Sequence, residues 1–365
     1  VIVEEYGNPA NLMHVVKKIV TTLSEPFGTG TDSTLLGCSI GIATFPEGGV
    51  SVDSLLLHAS IAVQQAKLQP GCSYHFYDEH INHQAATQIE FETQLRDALR
   101  SNELELHYQP RVDLRSGKIV GVEGLIRWRH PVRGLLAPNE FIPLAEETGL
   151  IIPMGYWVIA RACHDLRTLQ RRGMALNVAV NVSFRQFLDS RLLPTVQRLI
   201  EKTGVGPKML EFELTETAVM QQPEQVQQAM TGMTDLGLRF SLDDFGTGFS
   251  SFVHLHSLPI KLLKLDRSFV RGIVDSPADR KLVAAMIEMG HSLGLEVVAE
   301  GVEQRAQMEL LRELGCDQIQ GFFISPALPF VELCYFIDAY SMGREDALKA
   351  PSTKRVTQLA GCRSS

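Results

Sequence analysis

The sequence predicts an α/β chain, with a (β/α)8 barrel or a doubly wound sheet in its larger part and a thin α+β segment before it. Three observations lead there. Strand-like runs recur at 104–112, 119–127, 175–182, 209–214, 238–243, 261–266, 296–300 and 317–324. Helical patterns of roughly ten residues or more separate most of them. The first two runs are joined only by Arg115-Ser116-Gly117-Lys118, too short for a crossover helix. That pair therefore forms an antiparallel hairpin, and the sheet is irregular at its start.

The elements follow in order. Val1-Ile2-Val3 is strand-like, and a chain opening in mid-strand without Met reads as part of a longer protein. Leu12, Val15, Val16, Ile19, Val20 and Leu23 are spaced as one face of a helix. A strand from Cys38 to Phe45 and a Pro46-Glu47-Gly48-Gly49 turn come next. A helix from Val52 to Lys67 and the run Tyr74-His75-Phe76-Tyr77 close residues 1–80, a thin first domain. Residues 81–102, with Ile89, Phe91, Leu95, Ala98 and Leu99 apolar, read as a connecting helix or as the first helix of the next domain. The main domain spans 103–340. Its segment 277–293 shows the helix signals plainly: Ser276 caps, Pro277 suits the first turn, and Leu282, Val283, Met286, Ile287 and Leu293 form a stripe. The polar tail 341–365 is expected to be loosely ordered.

Composition narrows the function. The chain has 365 residues, long enough for two or three domains of about 100–200 residues. With 45% hydrophobic residues it can bury a core. Its 34 basic and 42 acidic residues leave a net charge of −8, which argues against a grip on a nucleic acid polymer. A local pocket for a charged nucleotide stays open. No run of about 20 apolar residues exists, and no signal pattern opens the chain. Cys38, Cys72, Cys163, Cys316, Cys334 and Cys362 are scattered, without a CxxC pair. They read as reduced thiols in a cytoplasmic protein, not as a zinc site. Membrane or sensor domains upstream in a longer parent protein stay open.

In a barrel, chemistry sits at the C-terminal strand ends. Read in order, these ends carry Glu123, Asn181, Glu213 with Glu216, Asp243-Asp244, Lys264 with Asp266, Glu300 with Glu303, and Gln320. One such polar group is an ordinary satisfied core residue. A succession of them, mostly carboxylates, needs cations to hold it together. Oxygen donors without Cys or His suit Mg²⁺ or Mn²⁺. Asp243-Asp244 precedes a Gly-hinged loop, Phe245-Gly246-Thr247-Gly248-Phe249-Ser250-Ser251. Such a pair is what a two-metal hydrolytic centre needs at phosphorus. His107 and His130 read as core or surface groups.

Glu123-Gly124-Leu125, with Ile126-Arg127-Trp128 and His130-Pro131 after it, resembles the EAL signature of bacterial cyclic di-GMP phosphodiesterases. The resemblance runs over about 86–340. It includes Tyr108-Gln109-Pro110, Phe141-Ile142-Pro143-Leu144-Ala145-Glu146, Asn181-Val182-Ser183, Glu213-Leu214-Thr215-Glu216 and Lys264-Leu265-Asp266-Arg267-Ser268-Phe269. Ala299-Glu300-Gly301-Val302-Glu303 and Gln320-Gly321-Phe322 complete it.

This resemblance implies a modified TIM barrel with one antiparallel strand, two ions of Mg²⁺ or Mn²⁺, and hydrolysis of cyclic di-GMP to linear pGpG. The alternative is a non-catalytic cyclic di-GMP receptor. It also implies roles. Glu123, Asn181, Glu213, Asp243 and Asp244 are metal ligands, with Asp243 shared. Lys264, Glu300 and Glu303 serve catalysis, Glu300 as general base or as a ligand of the second metal; Gln109, Arg127 and Gln320 contact substrate. Glu216 anchors the loop after Asp244 and couples it to a homodimer surface. Gly124 departs from the signature's Ala; by strand alternation it points outward when Glu123 points in.

The first eighty residues resemble the C-terminal part of a GGDEF, diguanylate cyclase-like, domain through Ser39-Ile40-Gly41-Ile42-Ala43 and Ala59-Ser60-Ile61-Ala62 with Ala66-Lys67. Ser60 stands where that family commonly has Asp. Its signature hairpin would precede Val1, so synthesis from GTP is not expected.

Overall fold

Pairing of two short strands organises the first of two units, Val1–Gln94 and Leu95–Ser365, into which the computed structural model of the chain divides. It describes residues 1–4, 9–24, 37–46, 48–69, 71–77, 90–247, 255 and 257–343. In the first unit, β1 (Ser39–Ile42) and β2 (Ser73–Phe76) run parallel, from Ser39 beside Ser73 to Ile42 beside Phe76. Side chains alternate between two faces. Ile40, Ile42 and Phe76 pack with Val3, Val16 and Val20, the last two on the helix Pro9–Ser24. The other face meets the helix Val52–Ala66, where the Ser73 hydroxyl donates to the Ala66 carbonyl at 2.6 Å. A Cβ on Gly41 would stand 2.0 Å from the Ala59 carbonyl oxygen, so only glycine lets this helix lie so close.

Two sequence expectations change here. Val1-Ile2-Val3 has no ladder partner among the described residues, and Val1 and Ile2 are exposed. β-propensity makes no strand without a neighbour to bond. Val15, placed on the apolar face of its helix, is exposed as well, while Val16 is buried. Of the expected connecting helix, residues 90–98 are helical and 81–89 lie outside the described residues, as do 344–365 of the tail.

In the second unit, β3 (Leu104–Asp113) and β4 (Ile119–His130) form the expected hairpin, antiparallel from Leu104 beside Trp128 to Val112 beside Ile119. β6 (Asn177–Asn181), β7 (Leu210–Thr215), β8 (Arg239–Phe245), β9 (Leu262–Leu265), β10 (Glu296–Ala299) and β11 (Gln318–Gln320) then add in parallel, beginning on β4. β11 closes onto β3 antiparallel, Gln320 beside Arg111. Of ten strands in this sheet, β5 (Gly134–Leu136) and β12 (Leu328–Pro329) lie at the margins; the other eight close a barrel. Closure decides between the barrel and the open sheet. β3 is its one antiparallel strand.

The helix Pro277–Ser292 starts as its sequence demands, with the Ser276 hydroxyl accepting from the Asp279 amide at 3.2 Å. Val283, Met286 and Ile287 are buried, but Leu282 is 47% exposed. It lies on the outer side of the helix, and Leu293, half-buried, caps the C-terminal end beyond Ser292, so the expected stripe loses those two residues. The run 317–324 also ends early, at Gln320, because the amides of Ile324 and Ser325 bond back to the Gly321 carbonyl.

Candidate active site at the barrel mouth

Parallel register brings the strand ends to one level. Asn181 lies beside Glu213, and Gln109, from the middle of the antiparallel β3, lies beside Glu123. With period two, every second residue faces inward. Lys264, wholly buried, holds the centre. Its Nζ lies 2.7 Å from Glu300, 3.0 Å from Glu213, 3.2 Å from Asp243 and 3.3 Å from Glu123. Glu123 also accepts from the Asn181 amide at 2.8 Å and from Gln320 at 2.6 Å. Gln320 donates to Gln109 as well, at 3.1 Å.

The electrostatics follow from this crowding. Burial alone would raise the Glu123 carboxyl, but the Lys264 ammonium and the amides of Gln320 and Asn181 bring it down to about 2. Glu213 goes the other way, pushed well above the usual carboxylate range by burial and then by the Glu123 charge. Burial also pushes Glu300 up to about 8, against the opposing pull of Lys264. Burial works against the Lys264 charge, yet four carboxylates hold its pKa well above the ordinary lysine value. One cation does not satisfy them: Glu213 Oε1 is buried without a hydrogen-bond partner.

Asp243 and Asp244 are brought together by a bulge. Leu242 pairs with Leu263 and Phe245 with Leu265, so the two aspartates stand opposite the single residue Lys264. Asp244 has φ +52°, left-handed backbone that non-glycine residues seldom adopt. In a regular strand neighbouring side chains point to opposite faces. Here Asp243, Asp244 and Glu300 each offer an oxygen within 4.8 Å of the others, as do Glu123, Glu213 and Asp243. Asp243 belongs to both groups. The donors are all oxygen and one is an orphaned buried carboxylate atom, so their chemistry fits a hard divalent cation.

Behind the bulge, the Gly246 amide donates to Glu216 Oε2 at 2.9 Å, and the Thr247 hydroxyl to the Asp244 carbonyl at 2.8 Å. Residues 248–251 of the predicted loop lie outside the described residues. A cavity of about 240 Å³ opens over the cluster, lined by Gln109, Glu123, Asp243, Glu300, Glu303 and Gln320. Glu303 is exposed at its rim. Arg127 stands apart from this lining, half-buried, its guanidinium donating to the Ile126 carbonyl at 2.9 Å. His107 bonds Glu105 at 2.9 Å, and the ring of His130 accepts from the amides of Val132 and Arg133; neither joins the carboxylate groups.

Sequence reasoning passed over four residues. Arg267 and Phe322 line the cavity, Phe322 being 69% exposed. Beneath the acidic layer, Arg111 grips Glu211 through both carboxylate oxygens, at 2.7 and 3.1 Å. Its Nη1 is 3.7 Å from Glu213 Oε1. A Cβ on Gly121 would stand 2.9 Å from Arg111 Nη2, so that glycine leaves the guanidinium its room. The signal was present: Arg111 and Glu211 lie two positions from Gln109 and Glu213, on the same inward face.

Fold and site together define a class, a closed α/β barrel with converging carboxylates at the C-terminal ends of its parallel strands. Residues 92–327 match the EAL domain, and the chain belongs to that family. Residues 1–72 match the diguanylate cyclase, GGDEF domain. The chain is 37% identical over 334 residues to the bifunctional diguanylate cyclase/cyclic di-GMP phosphodiesterase MucR of Pseudomonas aeruginosa, covering 91% of this chain and 49% of that protein. It is 34% identical over 317 residues to the cyclic di-GMP phosphodiesterase PdeR of Escherichia coli, covering 87% and 48%. It thus spans about half the length of these relatives. Among solved structures, the PaMucR phosphodiesterase in complex with c-di-GMP matches with a TM-score of 0.64 at 40% identity, covering 66% of this chain and 98% of that one. The EAL enzyme Bd1971 bound to cAMP and cyclic di-GMP matches with a TM-score of 0.67 at 32% identity, covering 79% and 76%. No helix among the described residues is long and apolar enough to cross a membrane.

Proposed function

We propose that this chain is a metal-dependent phosphodiesterase that opens cyclic di-GMP to linear pGpG in the cytoplasm. The observation that carries the reading is the pair of oxygen-donor groups sharing Asp243 across the bulge. Glu123, Asn181, Glu213 and Asp243 would hold one ion of Mg²⁺ or Mn²⁺, and Asp243 and Asp244 a second. Held there, such ions would supply activation of a water and neutralisation of charge on the phosphate. The chain's own groups do the rest. Lys264 donates to the attacking water or to a phosphate oxygen, since its ammonium already sits among the ligands. Glu300 accepts a proton or completes the second ligand set. Gln109 and Gln320 position substrate, and Glu303 orients water at the rim. Arg127, released from the Ile126 carbonyl, suits a phosphate oxygen because its planar fork donates two bonds.

Glu216 holds the loop after Asp244, and the surface beside that loop forms a homodimer. The proposed domains are a GGDEF-like segment over 1–80, a connecting helix over 81–102, the EAL barrel over 103–340 and a tail over 341–365. Incubation with cyclic di-GMP and Mg²⁺ or Mn²⁺, followed by product separation, tests the reading. Linear dinucleotide that disappears in excess chelator is expected. Full turnover in chelator removes the metal centre, and tight binding without product makes the chain a receptor.

A further inference from the structure

We propose that Cys38 and Cys72 form a redox-active dithiol in the first unit, which a peroxide closes to a disulfide. The two lie far apart in sequence, but the ladder of β1 and β2 brings them side by side. Ser39 pairs with Ser73, and the Ser73 amide donates to the Cys38 carbonyl at 2.8 Å. One residue further out the chains are still adjacent, for a Cβ on Gly37 would lie 3.2 Å from the Gly71 carbonyl oxygen. Cys38 and Cys72 therefore occupy facing positions between two observed points of contact. Neighbouring strands run about 4.8 Å apart. That spacing falls within the Cα separation of about 4.4–6.8 Å that a disulfide spans. Both residues stand just before the strands begin, where fewer backbone bonds constrain them than within the ladder.

Parity in the ladder puts both cysteines on the side of the sheet that carries Ile40, Ile42 and Phe76, the side packed by the helix Pro9–Ser24. The last residue of that helix completes the site. Ser24, whose hydroxyl donates to the Val20 carbonyl at 2.7 Å, and the Cys38 thiol together draw Cys72 below the ordinary thiol range, while burial and the neighbouring Cys72 hold Cys38 up. Cys72 is thus the attacking sulfur and Cys38 the resolving one. Both are half-buried, whereas Cys163, Cys316 and Cys334 are buried, and burial pushes the first two up to about 12. Accessibility selects this pair, and acidity selects Cys72 within it.

The steps balance with hydrogen peroxide as oxidant. The Cys72 thiolate attacks one peroxide oxygen, the O–O bond breaks, and the other oxygen leaves as water after taking a proton. Cys72 is then a sulfenic acid. The Cys38 thiolate attacks its sulfur, the S–O bond breaks, and hydroxide leaves as a second water. Two thiols lose two electrons and one peroxide becomes two waters. A dithiol reductant reverses the bond by exchange.

The full chain, treated with peroxide at neutral pH, blocked with N-ethylmaleimide and digested, gives the test by peptide mass spectrometry. The expected result is an intramolecular link between the peptides bearing Cys38 and Cys72, lighter by the two thiol hydrogens and reversed by dithiothreitol. Free thiols fall by two from the six in the sequence. In C38S, dimedone is expected to trap a sulfenic acid at Cys72; in C72S, no adduct is expected at Cys38. An unchanged thiol count, a link to Cys362, or a link between chains overturns the proposal. So does dimedone labelling in C38S at the buried cysteines in preference to Cys72. Should either variant fail to fold, the wild-type link map decides alone.

Discussion

Lys264 occupies the space between four carboxylates and is the cation that touches all of them. Lys264→Met removes that charge and leaves the acids facing one another. Breaking a buried pair in this way costs roughly 3–5 kcal/mol, and the variant is expected to melt lower in chelator. Added Mg²⁺ is expected to raise its melting temperature more than that of the wild type, because no ammonium competes for the oxygens. Equal shifts in both proteins would show that Lys264 and the ions do not share ligands. Turnover speaks to the same group. Glu123→Ala, Asp243→Ala and Glu300→Ala are each expected to abolish most of it, and a double variant to be little worse than a single one. Near-normal rates for Asp243→Ala would refute a shared ligand. Gly124 is a different matter. A Cβ there would meet Ala179, Tyr108 and Val180 at 3.4–3.5 Å, ordinary contact, on the side away from Glu123. Gly124→Ala is expected to keep turnover within a few-fold and to stabilise the fold by about 0.4–1 kcal/mol through the unfolded chain. Loss of activity with the fold intact would show that position 124 shapes the mouth.

At the scale of elements, small local devices place the site. The bulge in β8 turns two consecutive aspartates toward one residue of β9, and Glu216 at the start of the helix Glu216–Gln221 ties down the chain just beyond it. Glu216→Ala is expected to lower turnover while leaving the melting temperature near that of the wild type, since the lost contact secures the loop after the bulge. A large drop in melting temperature with turnover intact would make Glu216 a core residue only. Caps act more simply. Ser276→Ala removes the acceptor for the Asp279 amide, and a loss of about 0.5–2 kcal/mol in denaturant unfolding is expected. The exposed Leu282 on the same helix shows the limit of periodicity, which sets the face but not the width of its contact.

At the scale of the molecule, the barrel interior is layered. The acidic mouth rests on Arg111 of β3 and Glu211 of β7, so one ion pair crosses the interior and ties the antiparallel strand to the parallel set. Burial opposes both charges, yet each holds the other ionised: Arg111 is raised above its usual value and Glu211 is lowered below its own. Arg111→Ala strands a buried carboxylate beneath Glu213 and is expected to cost roughly 3–5 kcal/mol in unfolding experiments. Replacing both partners together, Arg111→Met with Glu211→Leu, is expected to cost much less, because nothing charged is left unpaired. A double variant as unstable as the single one would mean that the pair does more than satisfy itself.

Much of this was legible in the residues alone. The alternation of apolar runs with helical stripes named the strands within a few positions, and a four-residue link by itself made β3 antiparallel to β4. Both depend on spacing along the chain, which sequence displays directly. The polar strand ends were legible for the same reason, since a carboxylate in an apolar run is conspicuous. What depended on contact through space was hidden. Closure of the sheet, Lys264 among four acids, the bulge that aligns Asp243 with Asp244, the Arg111–Glu211 pair and the approach of Cys38 to Cys72 all join residues distant along the chain. Local pattern carries which face a residue takes. Only the register between strands decides which residues of that face meet, because register is set by the packing of the whole barrel and not by any one strand.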